Sequence, residues 1–259
     1  MPVQQRCTVV GMAQLNPSTY WMTLEVGNMV EELGLHAGQF LHVACGEGNL
    51  LRRPISVALV QADSPHDTAA LILEVKGEGT HWLAQRRVGD TVDVLGPLGN
   101  GFDVEQRGRY LLVGGGIGTP PLLGYAERFR ENAVAVLGFR SADRVILADR
   151  YRECCKEVHL CTDDGSAGRH GFVDAQVKDI LEKDKNFTAI LACGPKPMLR
   201  SVAKVAAEYG VPCQVSMEER MACGVGACLG CAIQMADGTM KHVCKDGPVF
   251  NAEEVDWNV

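Results

Sequence analysis

Cys223, Cys228 and Cys231 stand at C-x4-C-x2-C, and Cys244 follows after twelve intervening residues. That is the ligand spacing of plant-type [2Fe–2S] ferredoxins, in which four thiolates hold two irons. Gly224, Gly226 and Gly230 let the loop turn tightly enough to aim amide N–H groups at sulfur, which tunes the reduction potential. Two blander uses of cysteine remain. Structural zinc prefers two C-x2-C knuckles, and the second knuckle is missing here. Inert buried thiols need no spacing at all, and Cys7, Cys45, Cys154, Cys155, Cys161 and Cys213, which show none, read as simply buried. The spacing of the late four favours a redox cluster.

A second chemistry is written in glycine. Gly114, Gly115, Gly116, Ile117, Gly118, Thr119 and Pro120 directly follow an apolar run and open a helix. Free N–H groups at such a turn suit a phosphate, and absent side chains let the ligand come close. The turn departs from G-x-G-x-x-G, so the simplest dinucleotide fingerprint is not met, and a plain tight turn explains it equally well by itself. Cys193, Gly194 and Pro195 end a later apolar run, at the place where ligands bind open α/β sheets. Arg52, Arg53, Pro54, Ile55 and Ser56 begin another strand, and Gly77, Glu78, Gly79 and Thr80 follow a further one. Singly, Arg53 reads as a solvated charge and Thr80 as a helix N-cap.

These groups must be positioned by two kinds of domain. Up to about residue 103 the pattern is short strands with Gly and Pro between them: Cys7 to Val10, Tyr20 to Val26, Phe40 to Ala44, Ile55 to Val60, Ala69 to Val75 and Thr91 to Leu95. That predicts a small barrel or sandwich. From Arg109 strand-length runs alternate with amphipathic segments. Strands are expected at Tyr110 to Val113, Ala133 to Phe139, Glu157 to Cys161, Ala189 to Cys193 and Gln214 to Ser216. Helices are expected at Pro121 to Glu131, Val173 to Leu181 and Pro197 to Tyr209. Gly99 to Phe102 is the natural hinge.

Composition narrows the classes. With 46% hydrophobic and 22% charged residues the chain is an ordinary globular protein. A formal charge of -7 speaks against nucleic acid, whose binders cluster lysine and arginine. Leu111 to Leu123 is too short and too broken by glycine and proline to span a membrane. No secretory signal is readable at Met1 to Val10, so a cytoplasmic location is expected, where clustered cysteines suggest metal rather than disulfides. None of the seven histidines lies in a recognisable relay or metal motif, and each reads as a surface or packing residue.

Taken together, Arg-Pro-x-Ser in a barrel, Gly-Gly-Gly-x-Gly-x-x-Pro and Cys-Gly-Pro in a nucleotide domain, and the terminal C-x4-C-x2-C-x12-C resemble the ferredoxin reductase superfamily. The domain order is similar to the electron-transfer subunits of type B dihydroorotate dehydrogenases, over nearly the whole chain. The resemblance implies an α+β multidomain fold: an antiparallel FAD-binding β-barrel over 1–102, an α/β parallel-sheet NAD-binding domain over 103–212 and a small iron-sulfur region over 213–259. It places FAD on Arg53, Pro54, Ile55, Ser56, Ile72, Leu73, Glu74, Gly79 and Thr80. It places NAD on Gly115, Gly116, Gly118, Thr119, Cys193 and Gly194, with Arg140 and Ser141 near the adenosine end, and a 2Fe-2S cluster on Cys223, Cys228, Cys231 and Cys244. Leu73 and Glu74 depart from the tyrosine and arginine usual there, which removes one contact to FAD.

The implied partner is an FMN-containing catalytic subunit in a heterotetramer, with this chain linking it to NAD in pyrimidine synthesis. A hydride carrier and a one-electron cluster need a converter between them, and flavin is one. No residues to handle orotate are found, as suits a subunit. The expected docking surface lies around Met221, Ala222 and the tail Val249 to Trp257. A reductase subunit of another complex, such as a ferredoxin reductase or sulfhydrogenase, shares these motifs. A non-catalytic metal-binding regulator would bind no flavin.

Overall fold

Alternating burial builds the first domain. Along Thr19–Gly27 the side chains of Met22, Leu24 and Val26 point inward, and along Thr91–Leu98 those of Val92 and Val94 do. Strands with one apolar face close on themselves to hide it, and each Leu or Val so buried contributes about 1.5–3 kcal/mol. The computed structural model describes residues 1–63 and 65–258. In it β1 (Val3–Asn16), β2 (Thr19–Gly27), β3 (Phe40–Val43), β4 (Arg53–Gln61), β5 (Asp67–Glu74), the short helix α1 (Glu78–Ala84) and β6 (Thr91–Leu98) follow one another. The six strands form a closed antiparallel barrel in the order β1-β2-β5-β4-β3-β6. β1 is longer than its apolar core predicts, because its first half pairs with β6 and its second half with β2.

The second domain is a sheet with helices. It runs β7 (Tyr110–Gly115), α2 (Leu123–Phe129), β8 (Ala133–Phe139), α3 (Ala148–Cys154), β9 (Glu157–Thr162), β10 (Arg169–His170), α4 (Val173–Lys183), β11 (Ala189–Cys193), α5 (Lys196–Tyr209) and β12 (Cys213–Ser216). A small hairpin, β13 (Ala232–Gln234) with β14 (Met240–His242), precedes β15 (Val249–Asn251). The sheet order is β10-β9-β8-β7-β11-β12-β15, parallel except for β15. β7 and β11 are buried along their whole length, as central parallel strands must be.

Three local expectations change. Before α2 the chain makes two 3-10 turns, at Gly116–Gly118 and Pro120–Leu122, because two prolines lack the N–H groups an α-helix would need. Helices α1 and α3, of seven residues each, carry too little periodicity to be read in advance. The tail is not a free surface: β15 hydrogen-bonds to β12, Phe250, Ala252 and Val255 are buried, and Trp257 Nε1 donates to the Ala252 carbonyl at 2.9 Å. β12, counted above with the iron-sulfur region, pairs in parallel with β11 in the nucleotide sheet.

The expected hinge is clamped. Asn100 N–H donates to the Gly247 carbonyl at 2.7 Å, and Gln214 exchanges two bonds with the Asp103 backbone. Tyr125 on α2 accepts from Phe102 N–H and donates to the Ala37 carbonyl, each at 2.9 Å, joining the two domains. Burial pushes this phenol up to about 12, so it stays protonated. Tyr125→Phe leaves a buried donor and a buried acceptor unpaired; a loss of about 1–3 kcal/mol is expected, read as a lower urea midpoint with flavin content unchanged. No described helix is long and apolar enough to cross a membrane.

Candidate functional site

The cysteine loop is built as a cage for sulfur. Gly224 and Gly226 take φ of +74° and +78°, a region closed to most side chains, and so fold the loop back on itself. The N–H groups of Val225, Ala227 and Cys228 reach Cys223 Sγ at 3.3–3.4 Å, and Gly226 N–H reaches Cys244 Sγ at 3.1 Å. Burial raises the Cys223 thiol, but the amides of Val225, Cys228 and Ala227 and the Cys228 side chain outweigh it and bring it down to about 6. The loop thus favours thiolate, the form that binds metal. Cys244 lies deeper: burial first, then the neighbouring Cys231 thiol, push it up to about 12.

The four thiols fall into two pairs, Cys223 with Cys228 and Cys231 with Cys244. Among the described residues no three His, Cys, Asp or Glu side chains converge on one ion position. Two pairs suit two irons better than one tetrahedral zinc. These residues fit a 2Fe-2S group. Cys231 and Cys244 sit inside the core, whereas Cys228 is exposed between the exposed Val225 and Leu229.

Strand ends bring the nucleotide residues together. Cys193 on β11 pairs in register with Gly114 on β7, so the glycine turn and Cys193-Gly194-Pro195 meet at the carboxyl end of the sheet. The fit depends on missing side chains. A Cβ on Gly118 would lie 2.3 Å from the Cys193 carbonyl oxygen, and one on Gly194 would meet Gly115 Cα at 3.2 Å. Gly116, at φ +53°, has open space before it. Thr119 is fully buried and its hydroxyl has no partner, which suits a ligand; its carbonyl accepts from Tyr151 at 2.8 Å. Burial pushes the Cys193 thiol up to about 12, so it remains a neutral, close-packed wall. Arg140 is exposed, and Ser141 is spent on Asp143 at 2.5 Å.

The barrel residues also converge. The Arg53 guanidinium lies over Gly79, where a Cβ would stand 2.8 Å from Nε, and it is steadied by the Leu51 carbonyl and Asn49. Thr80 is not the N-cap of α1, which is Gly77. Its hydroxyl accepts from Lys76 and Gly77 N–H at 2.9 and 3.2 Å and so shapes the turn from within. This pairing of a cation with a bare turn fits a pyrophosphate. Arg52, by contrast, is bound to Asp93 on the partly exposed outer face of the barrel. Ile55 and Leu73 turn into the barrel core, whereas Ile72 packs at the junction with the nucleotide domain. Pro54 and Ser56 are only partly buried. Gly79→Ala displaces a flexible guanidinium rather than backbone; FAD content after purification is expected to fall several-fold, with the barrel's melting temperature nearly unmoved.

Two residues were not legible in advance. Arg144, from the nucleotide domain, bonds Ser18 at 2.8 Å and approaches Glu74 at 3.5 Å, so the unusual carboxylate faces a guanidinium, with Lys76 at 3.4 Å on its other oxygen. His42 on β3 is buried beside the cysteine loop. A lone arginine and a histidine within an apolar strand carry no local signal of either placement.

Comparison with known proteins agrees with this geometry. Residues 6–102 match the oxidoreductase FAD-binding domain, 112–204 the oxidoreductase NAD-binding domain, and 218–256 the iron-sulfur cluster binding domain of dihydroorotate dehydrogenase B. The electron transfer subunit of dihydroorotate dehydrogenase B (NAD(+)) from Bacillus caldolyticus is 43% identical over 263 residues, covering 97% of this chain and 98% of that one. Its counterpart from Fusobacterium nucleatum is 38% identical over 260 residues, covering 96% and 97%. A chain of the NADH-dependent reduced ferredoxin-NADP oxidoreductase superposes with a TM-score of 0.85 at 32% identity, over 97% of this chain and 90% of that one. A ferredoxin reductase of carbazole 1,9a-dioxygenase, at 19% identity and TM-score 0.66 over 82% and 67%, shares the fold. With barrel, nucleotide sheet and cysteine cage all matched end to end, the chain belongs to the family of electron transfer subunits of dihydroorotate dehydrogenase B.

Proposed function

We propose that this chain carries electrons between NAD and an FMN-containing dihydroorotate dehydrogenase catalytic subunit, as two copies of each chain, in the pathway to UMP. The observation that carries this is the amide-lined cage of four paired thiols seated against a barrel in which the Arg53 guanidinium lies over the bare turn at Gly79. When bound, FAD supplies the exchange between two-electron hydride and one-electron carriers. The chain's own residues bind and orient. Arg53, Gly79 and Thr80 hold the flavin's phosphates, with backbone along Pro54, Ile55, Ser56, Ile72, Leu73 and Glu74 lining its path. Gly115, Gly116, Gly118, Thr119, Cys193 and Gly194 receive NAD. Cys223, Cys228, Cys231 and Cys244 hold the cluster, with Val225 and Leu229 as the apolar rim where the partner docks.

Visible spectra with iron, sulfide and flavin analysis test this. Flavin and cluster bands that bleach together with NADH are the expected result, and zinc or a colourless protein would reject it. The 32% identical ferredoxin-NADP oxidoreductase chain favours a second reading, a reductase subunit of such a complex. Co-purification separates them: a single FMN protein supports the first, and a larger flavoprotein with further clusters supports the second.

A further inference from the structure

Arg144 reaches out of the nucleotide domain and takes hold of the barrel at two points. Its Nη1 donates to the Ser18 hydroxyl at 2.8 Å and lies 3.5 Å from Glu74 Oε1. Both points are themselves fixed. Ser18, in the turn between β1 and β2, donates its N–H to Asn16 Oδ1 at 3.0 Å, and its carbonyl accepts from Val75 N–H at 2.8 Å. Glu74 pairs in register with Thr19, and Lys76 stands 3.4 Å from its other oxygen. The guanidinium is aimed as well. Ser141 donates to Asp143, whose other oxygen lies 3.7 Å from Arg144 Nε, and Ala142 N–H donates to the Ser166 hydroxyl at 2.8 Å.

With side chains 47% and 28% exposed, Arg144 and Glu74 form a pair too wet to add much stability. What the contact adds is direction, since a guanidinium presents its donors in a fixed fork. Arg144 ends the 3-10 turn Ala142–Arg144 that follows β8, β8 pairs with β7, and β7 runs into the glycine turn. Glu74 ends β5, which lies beside that same turn at Gly116–Gly118. Arg144 thus closes a ring of contacts that runs from barrel rim to sheet, to glycine turn, and back to the barrel through β5.

We propose that Arg144 is a positioning residue for hydride transfer, its grip on Ser18 and Glu74 setting the glycine turn that receives NAD against the strand β5 that lines the flavin's path. This role rests on the NAD and FAD placements proposed above. There NADH gives up one hydrogen with two electrons and becomes NAD+, and FAD takes them up as FADH−. Such a transfer needs its reacting atoms about 3–3.5 Å apart, and an error of about 1 Å costs up to about 100-fold in rate. A contact too weak to matter for folding can therefore matter for rate.

The test uses the full chain with its catalytic subunit, as wild type, Arg144→Ala, Ser18→Ala, the double variant and Arg144→Lys. Stopped-flow bleaching of the flavin band is followed across NADH concentrations, and amide exchange is measured over residues 17–20 and 73–76. For Arg144→Ala the limiting bleaching rate is expected to fall about five- to tenfold, and exchange at the barrel rim to quicken by a similar factor. FAD content, melting temperature and the half-saturating NADH concentration should stay near wild type, which a merely structural role would not allow. Ser18→Ala should reproduce part of both changes and add nothing to Arg144→Ala, because the two remove one shared bond. Arg144→Lys, which keeps the charge, should recover part of the rate. A wild-type limiting rate in Arg144→Ala, or additive losses in the double variant, would overturn the proposal. So would a raised half-saturating NADH concentration with rim exchange unmoved, which would make Arg144 a nucleotide contact instead. A wild-type chain whose flavin NADH never bleaches would sink the NAD and FAD placements themselves, independently of Arg144.

Discussion

Cys228→Ser is expected to keep its FAD and to lose delivery of electrons to the catalytic subunit by more than about 100-fold, a larger effect than comes from changing the groups that hydrogen-bond to metal ligands. Cys228 is the exposed thiol of the outer pair, and its own N–H bonds to Cys223 Sγ. Replacing its sulfur with a harder hydroxyl therefore weakens one ligand and disturbs the amide cage of another. The proposed flavin cradle at Arg53 and Gly79 lies in a separately closed barrel and is untouched. The measurement pairs iron content and NADH oxidation by a soluble dye, which takes electrons from flavin directly, with reduction of the natural partner. Dye reduction should persist while partner reduction fails. Partner reduction at the normal rate would remove the cluster from the path.

Gly118→Ala should raise the NADH concentration needed to bleach the flavin by at least about tenfold and destabilise the nucleotide domain by about 1–3 kcal/mol or more, as over-packing does. The new methyl would meet the Cys193 carbonyl oxygen at 2.3 Å, its carbon at 2.5 Å and the Gly194 nitrogen at 2.6 Å. All are backbone, so no rotamer change relieves the clash. Either the glycine turn or the end of β11 must move, and both line the proposed NAD site. Gly116→Ala is the control. It meets nothing within 4 Å and carries only the left-handed backbone cost of about 1–2 kcal/mol. If Gly118→Ala matched Gly116→Ala in NADH dependence and melting, the close approach of turn and strand would have no role in binding.

The chemistry was more legible than its setting. Cysteine spacing and a glycine turn are local features, visible along the chain before any packing is known. Alternation along β2 and β6 and continuous burial along β7 and β11 were equally readable, since side-chain period follows from backbone geometry. How the tail is held was not legible in its own residues. In the fold Phe250 and Val255 are covered, since Val249 pairs with Ser216, thirty-three positions earlier.

The charge reversal at Glu74 also looked like a pure loss. Arg144 from the other domain stands opposite it, and that pairing exists only once the barrel and sheet have docked.

What the chain's order of residues determined unaided was which groups could carry electrons and nucleotides, and the kind of element that bears each of them. Tertiary structure alone decided which of those groups face one another: Arg53 over Gly79, Gly118 against Cys193, His42 against Gly224. The reason is physical. Propensity and periodicity act over a few residues, whereas burial and hydrogen-bond pairing are settled by whichever distant segment happens to cover a surface.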